Sequence, residues 1–308
     1  MENSFKIERI NSDFMNNILG EKFLVLDNGF IRVIDYLGDD SSIVQAARVS
    51  CGKGTKKSLE DEELIHYLIR HHHLTPLEMC EIKLHVRVPM DCWRQWIRHR
   101  QSSTNERSSR YSIIDDGSQK TNSGQWRKQA KINKQGSGDY FEKDIGNYFT
   151  AQEEILHKDA LKIYLDRIEK GMAREQARKD LPLSTYTEAY WKIDLRNLFN
   201  FLFLRMDSHA QFEIRQYANI IGNEIIANWV PVAWKAFKSY QINSLTLSSK
   251  ELEILNSDSK ERIKKAIEFN WLPENYNVEE KPPFNLEMKE FEDKLEKIGL
   301  SENFIFEK

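Results

Sequence analysis

One stretch constrains this chain more than any other: Arg98 to Tyr111, which reads Arg-His-Arg-Gln-Ser-Ser-Thr-Asn-Glu-Arg-Ser-Ser-Arg-Tyr. It holds four arginines, a histidine, a glutamate, an asparagine and four serines, a set that no core helix requires. Met90, Trp93, Trp96 and Ile97 precede it at helical spacing. The pattern predicts a helix that ends in a turn carrying the polar cluster. Arginine forks suit a phosphate or a carbonyl-rich ring. Serine hydroxyls and free backbone N–H groups complete a phosphate cradle. Glu106, the one acid of the run, is placed to orient the arginines or to accept from a ligand hydroxyl. Charge runs of this kind are usually solvated turns. A basic helix-turn with Trp93 and Trp96 as stacking platforms would also suit a non-catalytic nucleotide- or RNA-binding module.

A net charge of −3 argues against a dedicated nucleic-acid binder, whose domain is usually strongly basic. With 40% hydrophobic and 30% charged residues, a chain of 308 residues reads as a soluble protein with one large or two ordinary domains. No apolar run is long enough to span a bilayer, and Met1 to Ser4 opens no signal peptide. Cys51, Cys80 and Cys92 show no CxxC spacing, as expected of reduced thiols in a cytoplasmic protein. His71, His72 and His73 diverge around one turn and lack a spaced partner, so no metal site is expected.

Lys22–Asp27 and Phe30–Tyr36 read as strands around an Asp27-Asn28-Gly29 hairpin signal. Asp39 to Ser42 cap a helix through Ile43 and Val49, and Ser58 with Asp61 fits a capping box for a second helix. Glu81–Val88 alternates as a half-buried strand, and Pro89 opens the helix leading to the arginine cluster. Residues 112–150 lose periodicity and carry Lys120, Arg127, Lys128, Lys131 and Lys134, which predicts a mobile basic insertion. A long helix is expected from Ala151 to Gly171 and a short one from Ala173 to Lys179. Arg196 and Asn200 stand at i,i+4, so one helical face presents both. Beyond Tyr240, helical stretches at Ser259–Phe269 and Glu287–Ile298 flank a Pro282-Pro283 break.

The spacing R-H-R-x-x-S-x-N-E-x-S-x-R-Y resembles the signature of the flavin-dependent thymidylate synthases at each of its nine fixed positions. Further resemblance lies in His73, Thr75, Pro76 and Glu78 (H-x-T-P-x-E). It continues in Ala177, Arg178, Leu181, Pro182, Tyr186 and Thr187, and in Asp194 to Ile214 with its Asp207-Ser208-His209-Ala210-Gln211 run. It covers roughly Lys22 to Tyr240.

The resemblance implies an α/β (α+β) fold with a small antiparallel sheet flanked by long helices. It implies a catalytic domain over 1–245, and 246–308 then form a C-terminal extension. It implies reductive methylation of dUMP to dTMP with 5,10-methylenetetrahydrofolate, FAD and NADPH, in a homotetramer with shared active sites. Positions matching the family's dUMP contacts are Gln95, Trp96, Ile97, Arg98, Glu106, Arg107, Ser108, Ser109, Arg110, Arg178 and Arg205. Arg205 matches the residue that favours ionisation of the pyrimidine at N3. Positions matching FAD contacts are Ser50, His73, Thr75, Glu78, Arg98, His99, Arg100, Glu106, Asp194, Arg196 and Asn200. The chain departs from the family at Asp194, commonly asparagine, and at Ser109, often glycine. None of the cysteines reads as a nucleophile, so methylation without a covalent enzyme–uracil bond is implied.

Overall fold

The computed structural model describes residues 9–49, 60–111, 113, 117–130, 136–301 and 303–306. Ser50, Cys51 and Ser58 lie outside them. The chain divides into two compact units at Ile242/Asn243.

The first unit begins with α1 (Asp13–Ile18), β1 (Lys22–Val25), β2 (Gly29–Leu37), α2 (Asp40–Arg48) and α3 (Asp61–Arg70). A short 3-10 turn, Thr75–Met79, leads into β3 (Glu81–Pro89), α4 (Met90–Trp96) and β4 (Ser103–Glu106). A two-stranded hairpin follows, β5 (Arg127–Gln129) with β6 (Ser137–Tyr140), then α5 (Lys143–Glu169) and α6 (Arg174–Ala177). The unit closes with β7 (Tyr186–Asp194), α7 (Leu195–Arg205), α8 (Phe212–Ile220), α9 (Ala227–Trp229) and α10 (Pro231–Phe237). A π-helical turn, Ile221–Ile226, joins α8 to α9.

The main sheet has the order β1-β2-β3-β7-β4 and is antiparallel throughout. On β3, Ile82, Leu84, Val86 and Val88 are fully buried, the alternation that the sequence predicts. Trp96 of α4 links the inner face to the helices, 5.1 Å between rings from Trp191 of β7 and 4.9 Å from Phe201 of α7. Tyr217 of α8 closes this aromatic group at 5.7 Å. It ties together the three helices that bear the polar site.

Several expectations change in detail. The β1–β2 hairpin pairs Val25 with Gly29, so its loop is Leu26-Asp27-Asn28, with the positive φ at Leu26. Gly29 serves a close approach instead: a Cβ there would collide with the Tyr217 hydroxyl and the Val25 carbonyl. The long helix begins at Lys143 rather than Ala151. It starts early because Phe149 packs on Trp126 and Phe141, and because Gly146 lets the chain lie against the Ser123 carbonyl. The described part of 112–150 is therefore partly ordered. Gly171, at φ +81°, ends that helix as expected. Residues 103–106, expected in a turn, form the sheet's edge strand, and Tyr186–Asp194 form a strand that the expectations above do not include.

The second unit contains α11 (Ser249–Leu255), α12 (Ser259–Glu268) and α13 (Leu286–Lys297). Ile254, Trp271, Phe291, Leu295 and Ile305 form its own core.

Candidate active site

The arginine cluster unfolds from α4 in three steps. Ile97 caps the helix, Arg98 to Arg100 turn away from it, and Ser103–Glu106 pair with β7, Glu106 opposite Ala189. Arg98 and Arg100 are exposed.

Glu106 is held by neutral donors rather than by the arginines around it in sequence. One carboxylate oxygen accepts from the Trp93 indole N–H at 2.9 Å and the other from the Thr187 hydroxyl at 2.8 Å. Trp93 and Trp96 are 1% and 0% exposed, so neither ring is open to stack on a base. The RNA-binding reading loses its platforms. Trp96 is matched to a dUMP contact, yet the whole residue is buried.

Seven of the residues matched to dUMP fall in two places. A cleft of about 590 Å³ is lined by Glu106, Arg107, Ser108 and Ser109 on one side and by Arg178, Leu183, Tyr186 and Thr187 on the other. Arg178 donates to the Ser109 hydroxyl across it. Arg110 turns to Glu175 at 3.3 Å, both well exposed. Gln95 and Arg205 do not line this cleft. They meet at the end of α7, where the Arg205 Nη2 reaches the Gln95 carbonyl at 3.5 Å and its Nε donates to His99 Nε2 at 3.0 Å. That bond requires Nε2 of His99 to be unprotonated. Burial, helped by the Arg205 charge, brings the His99 pKa down to about 4. Burial also lowers that of Arg205.

Of the residues matched to FAD, His73, Thr75 and Glu78 lie in the turn after α3, and Asp194, Arg196 and Asn200 lie at or on α7. Main-chain N–H of His73 reaches back to the Leu68 carbonyl at 2.8 Å, and His72 takes a positive φ to let the chain turn. Thr75 opens the 3-10 turn, and Glu78 within it pairs with Arg196. Asp194 caps α7: its carboxylate accepts from the Asn197 N–H at 2.9 Å and the Asn197 amide at 2.7 Å. Its side chain therefore sets the helix that presents Arg196 and Asn200, both exposed. Ser50 falls outside the described residues. Among the described residues no three metal-ligating side chains converge.

Sequence reasoning missed Trp93 and Thr187 as the holders of Glu106, and Asp91 and Gln211 beside Gln95. The i,i+4 spacing of Asp91 and Gln95 was the available signal. Cys80 and Cys92 are fully buried, and burial pushes both thiols far up. A thiolate nucleophile is disfavoured at either.

A family model described as "Thymidylate synthase complementing protein" matches residues 32–232. A flavin-dependent thymidylate synthase of Wolbachia pipientis wMel is 53% identical over 243 residues, covering 77% of this chain and 84% of that protein. Another, from Gluconobacter oxydans (strain 621H), is 49% identical and covers 78% of this chain and 80% of that protein. The solved UMP/dUMP methylase PolB from Streptomyces cacaoi, bound with 5-Br UMP, superposes with a TM-score of 0.64 at 28% identity. It covers 71% of this chain and 98% of its own. Built around that anchored Arg205 and the Arg178 cleft, and matched over most of its length, the chain belongs to the flavin-dependent thymidylate synthase family.

Proposed function

We propose that this chain reductively methylates dUMP to dTMP, with 5,10-methylenetetrahydrofolate as carbon donor and FAD reduced by NADPH as hydride source. The observation that carries the reading is the anchored Arg205. Its Nε is held by His99 and its Nη2 by the Gln95 carbonyl, so the guanidinium is fixed before substrate arrives. Negative charge develops on the uracil carbonyls as carbon 5 becomes nucleophilic. A fixed guanidinium stabilises that charge without reorganising, an effect worth ~3 kcal/mol for one well-aimed donor. Arg107, Ser108, Ser109 and Arg178 supply the charge and hydroxyls that a phosphate monoester needs.

The donor set suits FAD. Arg98 and Arg100 are exposed cations suited to a pyrophosphate, and Thr75 on the 3-10 turn and Arg196 and Asn200 on α7 offer further polar groups. Bound FAD supplies hydride transfer; the protein positions and polarises. Cys80 and Cys92, buried and strongly shifted, support methylation without a covalent cysteine adduct.

The proposed site residues other than Ser50 lie within 73–205, and we assign catalysis to residues 1–245. We read the enzyme as a cytoplasmic homotetramer with shared sites. No helix among the described residues is long and apolar enough to cross a membrane. α5 supports oligomerisation: it leaves Ile145, Tyr148, Ile155, Leu156, Ile163 and Leu165 exposed. Apolar surface of that extent usually meets a partner. Light scattering is expected to give a tetramer, and Ile155→Glu to shift it to smaller species.

The test of the activity is direct. Purified protein reconstituted with FAD is expected to show flavin absorbance and to form dTMP from dUMP, 5,10-methylenetetrahydrofolate and NADPH. Protein that takes up no flavin, or forms no dTMP when loaded, refutes the reading.

A further inference from the structure

Asp91 and Gln95 stand one turn apart on α4, and Gln211, just before α8, lies between their side chains. The Gln211 Nε2 donates to Asp91 Oδ2 at 2.9 Å, and the Gln95 Nε2 donates to the Gln211 Oε1. All three residues are half-buried. The order of this chain of bonds follows from its far end. A carboxylate has only acceptors, so Asp91 obliges Gln211 to turn its amino group inward. The Gln211 carbonyl oxygen then faces Gln95 and can only accept. Gln95 must therefore present its amino group to Gln211, which leaves its Oε1 as the side chain's outward acceptor.

We propose that Asp91, acting through Gln211, is a positioning residue that fixes the direction of the Gln95 amide. The nucleotide site then offers a hydrogen-bond acceptor, not a donor, next to the anchored Arg205. The ligand group selected is an N–H or O–H of the nucleotide. Asp91 is not one of the positions matched to the family's nucleotide contacts. The inference rests on the proposed reading that dUMP binds beside Gln95 and Arg205.

The test moves the acid along the chain of bonds. Asp91→Asn keeps size and shape but adds a donor, so the amide direction is no longer forced. Its Kd for dUMP, measured by calorimetry on the FAD-loaded enzyme, is expected to weaken roughly tenfold, the scale of one hydrogen bond in place or lost. KM for dUMP follows, while kcat, flavin spectrum and melting temperature stay close to wild type. The double variant Asp91→Asn with Gln211→Glu places the acceptor-only group next to Gln95. The amide introduced at position 91 donates to the carboxylate introduced at position 211. That carboxylate accepts from the Gln95 amino group, so the original direction returns. Affinity of the double variant for dUMP is expected to recover to within about threefold of wild type. A merely structural Asp91 gives no such rescue. Wild-type affinity in Asp91→Asn, or a folded double variant no better than the single one, overturns the proposal. Wild-type enzyme that binds dUMP but forms no dTMP refutes the proposed activity alone, because the affinity comparison still decides the relay. Wild-type enzyme that does not bind dUMP overturns both.

Discussion

Arg205 and His99 constrain each other, and the constraint is testable from both sides. Lysine at 205 keeps the charge but loses the planar fork and its Nε bond to His99. Arg205→Lys is therefore expected to lower kcat on the order of a hundredfold while flavin stays bound. A variant that turns over normally would remove Arg205 from the chemistry. His99 carries a pH consequence. It titrates near the ordinary 6.5 when unfolded and at about 4 when folded. Between those values the unfolded chain binds more protons, so stability rises with pH there. The contribution of the buried neutral imidazole is complete above 6.5 and lost as pH falls toward 4. The melting temperature of wild type should thus drop more steeply from about pH 6.5 to about 4 than that of His99→Asn; parallel curves would contradict this. Arg205, Arg178 and Ser108 could be proposed from sequence because each falls in a run that resembles the family's. The partners of Glu106 and Gln95 could not. Trp93 and Thr187 lie far apart in sequence from one another, and their meeting depends on β4 pairing with β7.

At the scale of elements, α7 carries the polar face of Arg196 and Asn200 and ends at Arg205, and its N-terminus rests on one side chain. Asp194 accepts from the Asn197 N–H as the N-cap of this helix. Asp194→Ala is expected to cost ~1 kcal/mol in urea denaturation, and Asp194→Asn much less, because asparagine caps as well as aspartate. Equal losses in the two variants would show that the carboxylate charge, rather than the cap, matters. This also accounts for the departure from the family's common asparagine, since both residues can accept at the cap. The strands show where sequence legibility runs out. β3 announces itself, with apolar residues on alternate positions. β4 cannot, because all four of its residues are polar and exposed: an edge strand paired on one side has no buried face to mark. β7 does alternate, with Thr187, Ala189, Trp191 and Ile193 inward, yet its polar partners Glu188 and Lys192 and its place inside a family motif concealed a central strand. The onset of α5 depends on aromatic packing between Trp126, Phe141 and Phe149, a tertiary cause that no window of sequence displays.

At the scale of the whole molecule, the two units have separate cores, and everything assigned to the reaction belongs to the first. The matched family segment ends at residue 232, and PolB is covered almost completely by 71% of this chain. The second unit buries Trp271, Phe291 and Leu295, and its buried Glu251 is satisfied by Lys294 at 2.7 Å and by the Ser248 cap. A unit of this size gains only about 3–5 kcal/mol from a single core. Its helices were partly legible: α12 and α13 show amphipathic spacing, whereas the short α11 is marked by the Ser248–Glu251 capping box alone. The first unit has the larger core, in which the sheet's inner face, α4, α7 and α8 share one set of buried residues. A chain ending at Ile242 should therefore fold, bind FAD and form dTMP with a kcat within about threefold of the full chain, since it keeps that core and every residue proposed to touch a substrate. Circular dichroism and flavin absorbance establish that the shortened chain is folded and loaded. If it is both and still forms no dTMP, residues 243–308 supply something the reaction needs, and the assignment of catalysis to the first unit alone is wrong.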